Sequence, residues 1–187
     1  MQKSIFIFFL CLISSFVTAQ LEAGQMLLGG NFQFITGFSG GNYPLFTIKP
    51  SVAYFTGNRN AIGLSVGYNR SYTPLFVGGA LKLNEWSFSV FDRKYFSIGN
   101  EEKLYFFLNS SFDYVTISRP DNNTVMDNLY NIAVSPGISY FPTRSVGIDL
   151  SVPGLSYSNT NEYLIFDAGL SNVRVGISIL LNRKKKD

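Results

Sequence analysis

Lys49, Arg93, Asp113, Asp149 and Arg174 are the residues of this chain whose types and positions raise a question of chemistry. Each shares a strand face with glycine, serine or asparagine, opposite a row of large apolar side chains. Two carboxylates placed about a substrate could exchange protons with it. Asp113 and Asp149, however, belong to separate strands and have no partner constellation around them. Two other chemistries remain. Charges enclosed with little water must be paired, so the two carboxylates would neutralise two of the three cations. Alternatively, breaking one such pair would open a narrow file of water, a gated ion path. Pairing is the reading we carry forward.

Composition removes most other chemistry. The chain has no histidine, and its one cysteine, Cys11, lies in an apolar segment after Leu10, a poor context for lipid attachment. Cys/His zinc sites, cysteine nucleophiles and histidine-based triads are therefore excluded. Charged residues make up 14% of the chain, against about 25% in an average soluble protein, and most lie between strands. Of the net charge of +3, Lys3 supplies one and Arg183-Lys184-Lys185-Lys186-Asp187 a net three, which leaves the body slightly acidic. That distribution is no nucleic-acid footprint, which needs basic residues spread over a folded face. Nor does any residue set call for a cofactor.

The face that carries the five charges belongs to a pattern running along nearly the whole chain. In Ile62-Gly-Leu-Ser-Val-Gly-Tyr-Asn, the residues Ile62, Leu64, Val66 and Tyr68 point one way, and Gly63, Ser65, Gly67 and Asn69 the other. Large apolar side chains backed by small or hydrogen-bonding ones fit a closed sheet whose outside meets lipid. Eight such strands can be drawn: Met26–Thr36, Phe46–Phe55, Ile62–Arg70, Trp86–Ile98, Leu104–Ser118, Tyr130–Phe141, Val146–Tyr157 and Ser171–Leu181. Most are near the roughly 9–11 residues a tilted membrane strand needs. The predicted fold is all-β, an eight-stranded antiparallel up-and-down transmembrane β-barrel, with the five charges inside it.

The connections support this independently. Those after the second, fourth and sixth strands are short: Thr56-Gly-Asn-Arg-Asn, Gly99-Asn-Glu-Glu-Lys and Pro142-Thr-Arg. The others are mostly longer, notably Ser71–Glu85, Arg119–Leu129 and Asn159–Leu170. Short turns on one side and long loops on the other suit a barrel with both termini in the periplasm. Two places strain the alternation. Asp92 and Lys94 would face lipid, which calls for a bulge or a position near the headgroups. Pro153-Gly154 should bend or bulge the seventh strand, moving Leu155 and Tyr157 to the opposite parity.

Ahead of the strands, Lys3, the apolar run Ile5–Val17 and Val17-Thr18-Ala19 read as a secretory signal cleaved before Gln20. The expected organisation is thus a signal peptide at 1–19, an outer-membrane β-barrel domain at 20–182 and a basic tail at 183–187. That tail would cap the last strand or meet lipid phosphates or a periplasmic partner. Tyr43, Phe46, Tyr54, Tyr68, Tyr72, Trp86, Tyr130, Tyr140 and Tyr157 gather near strand ends, as interfacial girdles do. Asp121-Asn122-Asn123-Thr124 with Asp127-Asn128 has oxygens that suit calcium, but not the spacing of a known calcium loop, so a solvated turn is expected and no metal.

Several stretches carry a resemblance: Glu22-Ala-Gly-Gln-Met-Leu-Leu-Gly-Gly-Asn-Phe, Phe88-Ser-Val with Arg93-Lys-Tyr-Phe, Val134-Ser-Pro-Gly-Ile-Ser-Tyr-Phe, Val146-Gly-Ile-Asp-Leu-Ser with Gly154-Leu-Ser-Tyr, and Val173-Arg-Val-Gly-Ile-Ser-Ile. In these the chain resembles the small outer-membrane β-barrel proteins of Bacteroidetes-type bacteria. The resemblance implies a location in the Gram-negative outer membrane, with its lipids and assembly machinery as partners, and no assigned activity. The chain departs from that pattern at its end, where Ile179-Leu180-Leu181 runs into Asn182 and not into a closing aromatic residue. The function expected is non-enzymatic, a structural or surface-interaction role through the extracellular loops with an unknown partner. The alternative is a narrow porin-like channel. A membrane-embedded lipid enzyme and a soluble lipocalin-like carrier are the remaining rivals.

Overall fold

The computed structural model describes residues 21–35, 45–74, 80–100, 102–119, 125–159, 164–167, 169 and 172–181. Strand is nearly all they form: β1 (Met26–Ile35), β2 (Leu45–Gly57), β3 (Asn60–Pro74), β4 (Ala80–Ile98), β5 (Leu104–Ser118), β6 (Val125–Tyr140), β7 (Val146–Ser151), β8 (Gly154–Ser158), β9 (Leu164–Asp167) and β10 (Arg174–Leu181). Hydrogen-bonded neighbours run β5-β4-β3-β2-β1-β10-β7-β6, and β5 also pairs with β6. The sheet therefore closes into an antiparallel barrel of eight staves, the seventh made of β7 and β8 and the eighth of β9 and β10. Through the middle of the barrel closure pairs each stave on both sides, while β9 pairs only with β8. Its seam joins the first and last strands, from Met26↔Leu181 to Phe32↔Val175.

Polarity is inverted relative to a water-soluble sheet protein. Outward-facing Leu64, Phe88 and Ile132 are 59%, 55% and 57% exposed, while inward-facing Ser65 and Ser89 are 6% and 4%. Near the loop end of this apolar belt, cross-strand aromatic pairs sit side by side: Tyr68 with Trp86 at 5.0 Å and Tyr114 with Tyr130 at 5.3 Å. Phe46 and Tyr157 are exposed at the same end, and Tyr54 and Tyr140 at the turn end. Tyr43 and the Tyr72 side chain lie outside the described residues, as do residues 1–20 and 182–187.

Strands outrun their expected ends on the loop side. The ladder of β3 with β4 continues through Ser71↔Leu83 to Pro74↔Ala80, so most of the segment read as a loop from Ser71 to Glu85 is a hairpin. Likewise β6 starts at Val125, and β9 occupies part of the Asn159–Leu170 connection. Past the apolar belt the sequence no longer alternates in hydrophobicity, yet the longer ladder still satisfies backbone N–H and C=O groups. Of the two arrangements expected for Asp92 and Lys94, β4 adopts the position near the strand end and not the bulge, because it pairs without interruption with both β3 and β5. Asp92 and Lys94 simply face outward beside the foot of β3, where Asn60 Nδ2 donates to Asp92 at 3.1 Å. The polar turn there accommodates both charges without a shift of register.

At Pro153-Gly154 the seventh stave breaks as proline requires. Val152 and Pro153 leave the strand, the Val152 N–H reaches Pro136 O at 3.1 Å, and the Ser135 hydroxyl donates to Pro153 O at 2.7 Å. Ile148 and Leu150 face outward before the break, Leu155 and Tyr157 after it. Gly154 has φ +75°, and a Cβ there would overlap the Val134 carbonyl oxygen. Gly154→Ala should therefore lower barrel stability by at least about 1–3 kcal/mol, read as a shifted urea midpoint of refolded protein. An unchanged midpoint would mean the break relaxes freely.

Candidate functional site in the barrel interior

The inward faces stack into three levels, and the lowest was not anticipated. At the turn end Phe55, Tyr95, Tyr105, Phe107 and Phe141 are almost completely buried. Tyr95 is central, 5.9 Å from Phe55, 6.1 Å from Tyr105 and 5.8 Å from Phe107, and Tyr105 meets Phe141 at 5.8 Å. Leu21 packs beneath, its carbonyl accepting from the Arg59 N–H at 3.0 Å. Gly137 leaves room for the Phe107 ring, since a Cβ there would overlap it. The rings and the aliphatic side chains around them fill the bore. Parity held the signal: Tyr105 and Phe107 alternate in phase with Asn109 and Asp113, and Tyr95 with Arg93.

Directly above, Arg93 and Asp149 form an ion pair at 3.0 Å. Arg93 also donates through Nε to Asn109 Oδ1 at 3.1 Å and through NH1 to the Tyr95 hydroxyl at 3.3 Å. Its guanidinium lies 4.5 Å from the Phe107 ring centroid, a cation–π contact that ties the charge to the aromatic layer. Asp149 accepts further bonds from Ser139 and Ser178, each 2.6 Å. Towards the loop end, Lys49 meets Asp113 at 2.8 Å. Ser89 also donates to Asp113, as do Ser111 at 3.0 Å and Asn131 at 3.3 Å. Arg174, on β10, forms no ion pair among the described residues.

All five charged residues inferred from parity thus line one chamber of about 350 Å³. Nine serines and four asparagines share its wall, so it is polar and roomy enough for a cluster of waters. Glu85 also lines it, accepting from Asn69 at 2.8 Å, and was overlooked because its segment reads as a loop. No buried side-chain nitrogen or oxygen among the described residues lacks a hydrogen bond. Asp113 and Asp149 are held by cations and hydroxyls, with the Asn131 amide added at Asp113, and neither is hydrogen-bonded into a nucleophile–base arrangement among the described residues. Asp121–Thr124 and the side chains at 125–127 lie outside the described residues.

Two solved structures share this architecture. Neisserial surface protein A is 15% identical, with 84% of this chain matched to 97% of that one at a TM-score of 0.53. The outer membrane protein OprG from Pseudomonas aeruginosa is 9% identical, with 87% matched to 96% at a TM-score of 0.52. No family model and no curated protein matches the chain. At these identities the likeness is one of fold, and the fold is that of a small, closed, eight-stranded outer-membrane β-barrel.

Proposed function

We propose that this protein is a non-enzymatic barrel of a Gram-negative outer membrane that anchors extracellular hairpins for contact with another surface. The observation that carries this reading is the filled bore. A water path from the loop end stops at Arg93, Asp149 and the ring layer beneath them, which leaves the hairpins as the part free to meet a partner. The exposed apolar belt between aromatic residues suits lipid, and with the short turns towards the periplasm the β3–β4 and β5–β6 hairpins project outward. The sequence motifs named above support placing the chain among the Bacteroidetes-type small barrels. On this reading residues 1–19 are a signal peptide, and the outer-membrane assembly machinery inserts the chain.

The channel reading requires the ring layer to move. Refolded mature protein in a planar bilayer should show no regular current steps, and reproducible ohmic steps would overturn the closed-anchor reading. In cells, deleting residues 75–79 and 120–124 should abolish attachment to other surfaces while the barrel keeps its heat-modifiable gel mobility. Attachment that survives both deletions would remove the role assigned to the hairpins.

A further inference from the structure

Arg174 stands apart from the other interior cations. Lys49 and Arg93 each have a carboxylate, whereas Arg174 lines the same chamber and forms no ion pair among the described residues. Of the nearby carboxylates, Asp113 and Asp149 are each paired with another cation, while Asp167 acts on Arg174 through space without forming an ion pair with it. Asp113 receives Lys49 and Ser89 on one oxygen and Ser111 and Asn131 on the other, which fills the four lone-pair directions of a carboxylate. Asp149 takes Arg93, Ser139 and Ser178. Asp167 takes the Gly169 N–H at 2.9 Å and Asn172 Nδ2 at 2.6 Å. Glu85 sits on β4, four staves from β10 around the ring, and is held by Asn69.

A guanidinium cannot shed its proton, and an enclosed cation needs a counter-charge. We propose that the chamber binds one small oxyanion, of the carboxylate class, with Arg174 as its anchor. The planar fork of an arginine matches a carboxylate through two parallel hydrogen bonds. Ser151, paired directly with Arg174 in the ladder, and Asn31, opposite Gly176, bring further side-chain polar groups to the chamber wall beside it. Gly176, between them on the wall, is required by close packing, since a Cβ there would overlap the Gly30 carbonyl oxygen. The ring layer makes the chamber blind towards the turn end, so the anion enters and leaves from the loop end. This inference concerns the bore alone and is independent of what the hairpins contact.

The test uses isotope-labelled mature barrel in detergent micelles, titrated with sodium acetate against sodium chloride at constant ionic strength. The Gly176 and Ser151 amide resonances should shift saturably with acetate and not with chloride. R174Q should weaken the response at least tenfold, and R174K, which keeps the charge but not the fork, should weaken it less. R70Q, on the outward face of β3, should leave it unchanged. Heat-modifiable mobility reports whether R174Q has folded, and if it has not, R174K alone carries the comparison. Absence of a saturable acetate shift, an equal response to chloride, or undiminished binding in the folded Arg174 variants would overturn the proposal.

Discussion

Asp149→Ala is expected to lower the unfolding free energy of the barrel by about 3–5 kcal/mol, the usual effect of removing one partner from a buried ion pair. The substitution strands the Arg93 guanidinium over the Phe107 ring with only Asn109 and the Tyr95 hydroxyl as acceptors. It also leaves the Ser139 and Ser178 hydroxyls, both buried, without their acceptor. Asp149→Asn should be milder, since it keeps the volume and can still bond one or both serines. Replacing the pair together, Arg93→Met with Asp149→Leu, should recover most of the loss, because the unpaired charge is gone and the site joins the apolar layer below. Urea titrations of folded protein, read by gel mobility without boiling, would measure the three variants against the parent. A loss of under about 0.5 kcal/mol for Asp149→Ala, the scale of ordinary surface changes, would show that water reaches the pair and that the lower chamber is not enclosed.

The same region shows what the sequence can and cannot convey. Parity along a strand assigns every side chain to a face, so the inward placement of Lys49, Arg93, Asp113, Asp149 and Arg174 was legible, as was the break at Pro153-Gly154. Partner choice was not. Arg93 and Asp149 are 56 residues apart in sequence, and their meeting depends on how far successive strands are staggered around the ring. The turn-end aromatic layer was obscured for a different reason. A polar interior was inferred from the middle of the strands, whereas near the turns both faces are apolar and alternation gives no contrast. Tyr105-Phe-Phe-Leu108 reads as a uniformly apolar run, yet Tyr105 and Phe107 face inward and are buried. Hairpin lengths escaped for a related reason, since backbone pairing above the apolar belt leaves no hydrophobic period in the side chains.

Truncating that layer should separate two roles that packing alone would merge. Tyr95 touches three rings, and Tyr95→Ala should reduce stability by about 3–5 kcal/mol, as large aromatic truncations in a core do. If the layer is also the seal, the same variant should pass ions in a planar bilayer where the parent shows none. The cavity left by the ring would then join the chamber to the turn end beside the Arg93–Asp149 pair. An eight-stranded bore is only wide enough for its side chains, so the current should be small and carried by small ions. Phe112→Ala is the matching control, because Phe112 lies on the outward face and its loss opens nothing inside. Loss of stability without conduction would mean that Phe55, Tyr105 and Phe107 collapse into the gap, with the seal surviving as a property of the whole layer. Conduction by the parent equal to that of Tyr95→Ala would mean that the rings are no barrier. The interior would then have to be understood as a pore lined by Lys49, Asp113 and Arg174.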